Sequence, residues 1–475
     1  MSFSDPAAAP NGATGATGPA GPAGPVVRGP VVRPGDVDFD ALRKVHNAMV
    51  DRRPGAIVRA ADAADVACTV AHAAEHGIPL TVRAGGHSAA GHSAADGGVT
   101  LDLRALDRVT VDPAAMTVSV EGGATMAQAD AAAQAHGLAF TGARLSSVGV
   151  AGFTTGSGSG WLERAFGLAS DALASARVVT AFGEEVVASP SEHPDLFYAL
   201  RGGGGNFGVV TELTFRAMPL GPQVVGGLRG YPFERAAEVL TTYAAVMDEA
   251  PDTLCGAAVL TTAPPLPHLP PALHGRPMVA VIALWAGDAG DAAAGLRPLD
   301  ALGEPLFDLV QPIPYAAGIQ TLLEQGPKLS LRSYLKFGVV PGPLTEDAIA
   351  TLCTLGAELT PGTSIVLQPL GGAVARVPHD TTALGDRDAR WAFQLLSGWP
   401  DAADDAPNIA WIRAAAAELA DHTRPSAWPN YVADRGRGAA LAVPYAPATL
   451  ARLRDIKRAW DPDNLFRSNH NIAPA

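Results

Sequence analysis

His87 sits in the run Val82-Arg83-Ala84-Gly85-Gly86-His87-Ser88, directly after the apolar stretch Ile78-Pro79-Leu80-Thr81-Val82. This spacing predicts a strand feeding a tight turn that presents an imidazole. Two adjacent glycines let the backbone approach a ligand closely and aim its N–H groups at anionic oxygens. An imidazole beside such a turn can bond to, or act on, whatever the turn holds. Two more glycine-rich segments follow, Val148-Gly149-Val150-Ala151-Gly152-Phe153-Thr154-Thr155-Gly156-Ser157-Gly158-Ser159-Gly160-Trp161 and Arg201-Gly202-Gly203-Gly204-Gly205-Asn206-Phe207-Gly208. The spacing Gly156-x-Gly158-x-Gly160 lacks the context of a dinucleotide-binding fingerprint, which ends a first strand and opens a helix, with an acidic residue further on. Three glycine turns and one histidine point instead to a large phosphate-containing ligand lying across several loops.

The elements that must position these turns alternate in α/β fashion. Ala56-Ile57-Val58-Arg59 reads as a strand. Asp62 and Asp65 open a helix with Val66, Val70 and Ala73 on one face, and Gly77 stops it. The strand before His87 follows, then Val99–Leu103, the alternating Met116–Val120, and an Ala-rich helix over 125–136. Composition shifts after Pro219. Longer apolar runs such as Pro277–Trp285 and Thr363–Gln368 predict a second α+β unit, and the chain turns polar again from about Asn430. Residues 1–33 are rich in Ala, Gly and Pro, with a Gly-x-y period too short to hold a triple helix. They read as a disordered arm, with order beginning near Asp36.

At 475 residues the chain implies two or more domains, and 48% hydrophobic content suits large cores. The formal net charge is −13, with Lys and Arg scattered, which argues against a nucleic-acid surface. No window is apolar enough to span a membrane. Cys68, Cys255 and Cys353 lie far apart with no metal-ligand spacing and read as buried free thiols. The N-terminus lacks a basic start followed by an apolar run, so the expected location is cytoplasmic. No metal is expected, and the oligomeric state is left open.

Together, Arg83–Ser88, Val148–Trp161, Asp195-Leu196-Phe197-Tyr198-Ala199-Leu200-Arg201 with its glycine run, and the tail Asp461-Pro462-Asp463-Asn464-Leu465-Phe466…Asn469-His470-Asn471-Ile472 resemble the berberine-bridge-enzyme-like flavoprotein oxidases of the vanillyl-alcohol-oxidase/PCMH fold. The resemblance covers nearly everything from residue 36 onward, with four motifs in order. It implies an α+β protein: a two-part FAD-binding domain (36–219 plus 430–475, after an arm at 1–35) and a second α+β substrate domain (220–429), an antiparallel sheet covered by helices. His87 matches the histidine that bonds to the flavin. Arg83, Ala84, Gly85, Gly86, Ser88, Ser146, Ser147, Val148, Gly149, Gly152, Thr154, Gly156, Val210, Asn430, Asn469 and Asn471 fall where the family holds FAD. Asn206 and Gly208 read equally as cofactor motif or as a domain-packing turn.

Three departures bear on the chemistry. The place of a second, cysteinyl flavin link is Leu145, so attachment would run through His87 alone. Val148 matches the family's oxygen gate, and a small residue there implies an oxidase that uses O2. The tyrosines of sugar-oxidising members are replaced, one by Ser159, and the Tyr-x-Asn motif reads Trp428-Pro429-Asn430. Candidate bases are therefore Tyr334 and Lys336, which would share one face of a strand, a neighbouring ammonium lowering the phenol pKa. Tyr431 is the alternative, if a local twist or bulge after Pro429 turns it inward. Gln394 and His92 are further polar groups of interest. The expected activity is hydride transfer from a small organic substrate, a secondary-metabolite intermediate or an alcohol or sugar, to covalent FAD, with O2 as re-oxidant giving H2O2. A non-redox cyclase on the same scaffold is the alternative, and a pure binding module the third reading.

Overall fold

In the computed structural model the chain is described over residues 25–475, apart from 264, 266–268, 270, 325–330, 425, 427 and 434–443. Four short strands form the first sheet, in the order Val31–Val32, Ala56–Arg59, Val99–Asp102, Leu80–Arg83, the last three mutually parallel. The helix Ala63–His76 crosses over it. Asp62 caps its start by accepting from the Asp65 N–H at 3.0 Å, and Gly77 ends it with φ 62°. Val66, Val70 and Ala73 face the sheet and are fully buried.

The N-terminal expectation needs correction. Residues 1–24 lie outside the described part, but order does not wait for Asp36. Val31 and Val32 pair with Val58 and Ile57, and the N–H groups of Arg28 and Gly29 donate to the buried Asp65 carboxylate at 2.8 and 2.9 Å. A low-complexity composition hid a strand that needs only two valines.

The second sheet is antiparallel, ordered Val109–Asp112, Thr117–Glu121, Val209–Arg216, Leu173–Val179, Glu185–Ala188. Its core also takes in Leu453, Ile456 and Ile472, so the C-terminal segment packs back onto the first half of the chain. There Lys457 and Asp461 form a wholly buried ion pair at 2.6 Å, and Lys457 also donates to the Asn206 and Phe466 carbonyls. A buried ammonium is tolerable because its donors are matched.

The third sheet is antiparallel and runs Gln223–Pro232, Pro277–Trp285, Leu254–Thr262, Thr363–Pro369, Trp391–Trp399, Arg332–Val340, with short strands beside Gln223–Pro232. Helices Ala236–Glu249, Glu346–Ala357 and Asp405–Glu418 cover one face. The opposite face packs on Trp161, Leu162, Leu168 and Trp428. Because side chains alternate along a strand, parity decides which residues see the helices and which see the glycine segments. Among the described residues no helix is long and apolar enough to cross a membrane. Of the three free cysteines only Cys255 is buried, which pushes its thiol up to about 12; Cys68 is exposed and Cys353 half-buried.

Candidate active site

The first two glycine turns touch. A Cβ on Gly85 would fall 2.2 Å from the Gly149 nitrogen, and one on Gly149 2.3 Å from the Gly85 nitrogen. Only glycine at both places permits this approach. The second turn is fixed from behind, since the N–H groups of Met126 and Ala127, opening the helix Met126–Gln134, donate to the carbonyls of Val148 and Ser146. As a result the His87 Nε2 lies 3.0 Å from the Ser147 hydroxyl.

His87 is half-buried. Desolvation there, with a smaller push from His46, holds it well below the ordinary histidine range. The imidazole is therefore neutral at physiological pH. His46 stacks on it with ring centroids 3.9 Å apart and planes 22° from parallel. No pattern in the sequence marks His46, which lies 41 positions upstream in a loop.

The cradle suits FAD. Gly86 has φ 73° and could accept no ordinary side chain without strain. Gly152 is the exposed member of the otherwise buried helix Val150–Thr155, and nothing lies within 4 Å of where its Cβ would be. The backbone of Ala84–Ser88, the turn Ser147–Gly149, Gly152 and half-buried Val148 are the groups that would hold the cofactor. Near the C-terminal tail a cavity of about 490 Å³ is lined by Arg52, His92, Asp96, Arg467, Asn469 and His470, among others.

Most other residues expected at the cofactor are engaged within the protein or lie in its core, Thr154 with its hydroxyl unpartnered among the described residues. The Arg83 guanidinium turns away to the Leu42 carbonyl and is buried. Ser146 donates from its N–H and hydroxyl to Glu324. Ser88 accepts from the His92 N–H at 3.3 Å. Thr154 and Val210 are buried among core residues. The Asn430 amide donates to the carbonyls of Gly152 and Phe153, and its oxygen accepts from the Gly158 N–H at 3.2 Å. A Cβ on Gly156 would strike Asn430 at 2.4 Å. Asn430 thus pins the return segment to the second glycine motif. Asn469 donates to the Gly205 and Phe466 carbonyls, and Asn471 is exposed. Asn206 is a packing residue, donating to Gly203 and His470 carbonyls and accepting from the Ile472 N–H.

The candidate bases separate. Tyr334 and Lys336 do share a face, with the ammonium 5.9 Å from the Tyr334 ring centroid. That face is the wrong one: Tyr334 belongs to the helix-side core, and its hydroxyl accepts from Arg413 at 3.1 Å on the helix Asp405–Glu418. The opposite face presents Phe337, Gln368 and Gln394. Tyr431 reaches it, because Pro429–Tyr431 is a 3₁₀ turn rather than a strand, and its ring stacks on Phe337 at 4.5 Å.

A buried polar cluster joins this face to the glycine motif and was not expected from sequence as a unit. Gln368 donates to the Ser159 hydroxyl at 2.8 Å and to Glu163; Arg144 lies 3.3 Å from Glu163; Gln394 donates to Gln368 at 3.4 Å. Burial pushes the Glu163 carboxyl up, against the pull of Arg144. Arg144 Nε and Glu163 Oε2 have no partner among the described residues.

Comparison with known proteins agrees with this geometry. The model for the FAD binding domain matches residues 54–189, and that for berberine and berberine-like proteins matches residues 447–473. An uncharacterised FAD-linked oxidoreductase of Bacillus subtilis, YgaK, is 28% identical over 94% of this chain and 97% of its own. The (R)-6-hydroxynicotine oxidase of Paenarthrobacter nicotinovorans is 29% identical over 94% and 97%. The crystal structure of 6-hydroxy-D-nicotine oxidase from Arthrobacter nicotinovorans superposes with a TM-score of 0.83 at 27% identity, covering 95% of this chain and 99% of that one. The FAD-binding match and the berberine-like tail thus fall on one chain that is similar along nearly its whole length to FAD-linked oxidoreductases and shares the vanillyl-alcohol-oxidase/PCMH fold.

Proposed function

We propose that this oxidoreductase is an oxidase carrying FAD covalently on His87 alone. The observation that carries the reading is the abutment of Gly85 on Gly149, which sets a neutral imidazole against Ser147 while Leu145 occupies the place of a cysteinyl link. Bound FAD supplies the electron chemistry, accepting a hydride from a substrate carbon and passing two electrons to O2 to give H2O2. The protein's part is positioning. Segments 28–219 and 430–475 form the cofactor half and 220–429 the substrate half, with the substrate held against the sheet face of Phe337 and Gln394. Tyr431, stacked on Phe337, is the group we assign to take the hydroxyl proton of an alcohol or phenol substrate. Tyr334 and Lys336 are set aside for this role. Val148, beside the attachment turn, would leave room for O2.

The substrate class is a small organic molecule, a natural-product intermediate or an alcohol or sugar. The test is anaerobic mixing with a panel that includes (R)-6-hydroxynicotine, for which a relative is named, together with alcohols and lactols. Bleaching of the flavin, restored by air with release of H2O2, is the expected result. A compound turned over without bleaching would mean redox-neutral chemistry instead.

A further inference from the structure

His87 is held from two sides by side chains of distant segments. Ser147 meets Nε2 at 3.0 Å, and His46 covers the ring at 3.9 Å. His46 is itself anchored. Its N–H donates to the Gly86 carbonyl at 3.1 Å, and Asn47 next to it donates to the carbonyls of Ala89 and Ser333. The attachment histidine is thus tied to the edge strand of the third sheet.

From this geometry we infer that Ser147 and His46 are positioning residues for flavin attachment, holding His87 as the tautomer that donates Nε2–H to Ser147 and leaves Nδ1 as the nucleophile. The inference rests on the covalent link proposed above. A neutral imidazole has one lone pair on its ring nitrogens, and the hydrogen bond to one nitrogen fixes where that lone pair sits. With Ser147 accepting, His87 Nδ1 forms a bond to the carbon of the flavin 8α-methyl. One C–H bond of that methyl breaks, its hydrogen leaving as a proton and its electron pair entering the ring system. The Nε2 proton then leaves towards Ser147. Two electrons and two protons pass to O2, giving H2O2 and an oxidised, attached cofactor.

His46 contributes the stack that keeps the ring oriented and poorly hydrated. The titratable group facing His87 from a neighbouring element is His46 itself. Ser147 faces it from the second turn, and Arg83, on its own strand, points its guanidinium to Leu42. An imidazole whose pKa is depressed stays neutral on the acid side of the ordinary value of about 6.5. Attachment should therefore persist at pH 5, where an ordinary histidine is mostly protonated and cannot attack.

The test uses the full chain produced in a riboflavin-starved host, given FAD at pH 5 to 8, with acid-stable flavin fluorescence followed over time. Wild type should attach at a rate nearly independent of pH in this range. Ser147→Ala should slow attachment roughly tenfold at every pH, in line with loss of one orienting hydrogen bond. His46→Ala should match wild type at pH 8 and fall behind below pH 6.5. His46→Phe, which keeps the stack and loses the titrating group, should restore the wild-type profile. A His46→Ala chain that fails to fold would be replaced by His46→Gln, read the same way. Wild-type rates and pH profiles in Ser147→Ala and the His46 variants would overturn the inference and leave the covalent link standing. Absence of acid-stable flavin in wild type would overturn both.

Discussion

Tyr431 lies flat on Phe337, the ring centroids 4.5 Å apart and the planes 9° from parallel. This contact joins the C-terminal return to the edge strand of the third sheet on the face that looks towards the glycine motifs. It also reverses the order of two tyrosines, since sequence alone puts Tyr334 first and Tyr431 as the alternative. Tyr431→Phe keeps the stack and removes the hydroxyl, so anaerobic reduction of the flavin should slow by roughly a hundredfold with FAD content preserved. Tyr334→Phe should reduce at the wild-type rate and lose only a little stability through its bond with Arg413. Stopped-flow absorbance separates the two. Equal rates in both variants would remove Tyr431 from the chemistry.

Buried Glu163 pairs with partly buried Arg144, and each keeps one orphaned atom. Removing one partner strands the other charge in a low-dielectric site, which costs about 3–5 kcal/mol. Glu163→Ala should therefore lower the urea midpoint sharply. Glu163→Gln retains an oxygen to accept from Gln368 and should lose much less. If both variants denature at the wild-type midpoint, the cluster carries no stability.

The N-terminal segment should matter more than its composition implies. Deleting residues 1–33 removes the strand Val31–Val32 and two N–H donors from the buried Asp65 carboxylate. Leaving buried acceptor capacity unmatched costs about 1–3 kcal/mol. A fall of several degrees in melting temperature is expected, whereas deletion of 1–24 alone leaves those bonds in place. Calorimetry of the two truncations decides it.

These cases show where sequence patterns carry structure. Asp62 and Gly77 mark a helix because capping is local chemistry, acting within three or four residues of the cap. The alternation that puts Tyr334 and Lys336 on one face is equally local. Which face the helices cover is a tertiary fact, settled by packing of Tyr334 against Arg413, and no spacing encodes it. The turn at Pro429–Tyr431 broke a strand-parity argument that presumed an extended chain. His87 announced itself through its glycines, while His46, Glu163 and Gln368 became visible only once distant segments met.

Asp130 supplies a test of the seam between the two halves. It is buried on the helix Met126–Gln134 and accepts from Gln320 at 2.8 Å, with the Tyr315 hydroxyl donating to Gln320 at 3.4 Å from a turn of the other half. Burial pushes its carboxyl up to about 7. An acid whose folded pKa exceeds the unfolded value, about 3.9, binds more protons when folded. Its protonated form then favours the native state, so stability falls as pH rises from about 4 towards 7 and levels off above that. The slope is at most about 1.4 kcal/mol per pH unit. Asp130→Asn is permanently neutral and can still accept from Gln320, so it should lose this component. Between pH 5 and 7.5 the wild-type melting temperature should drop relative to that of Asp130→Asn, with the variant the more stable at pH 7.5. Parallel curves would mean that Asp130 stays ionised in the fold and that its burial is compensated by groups other than Gln320.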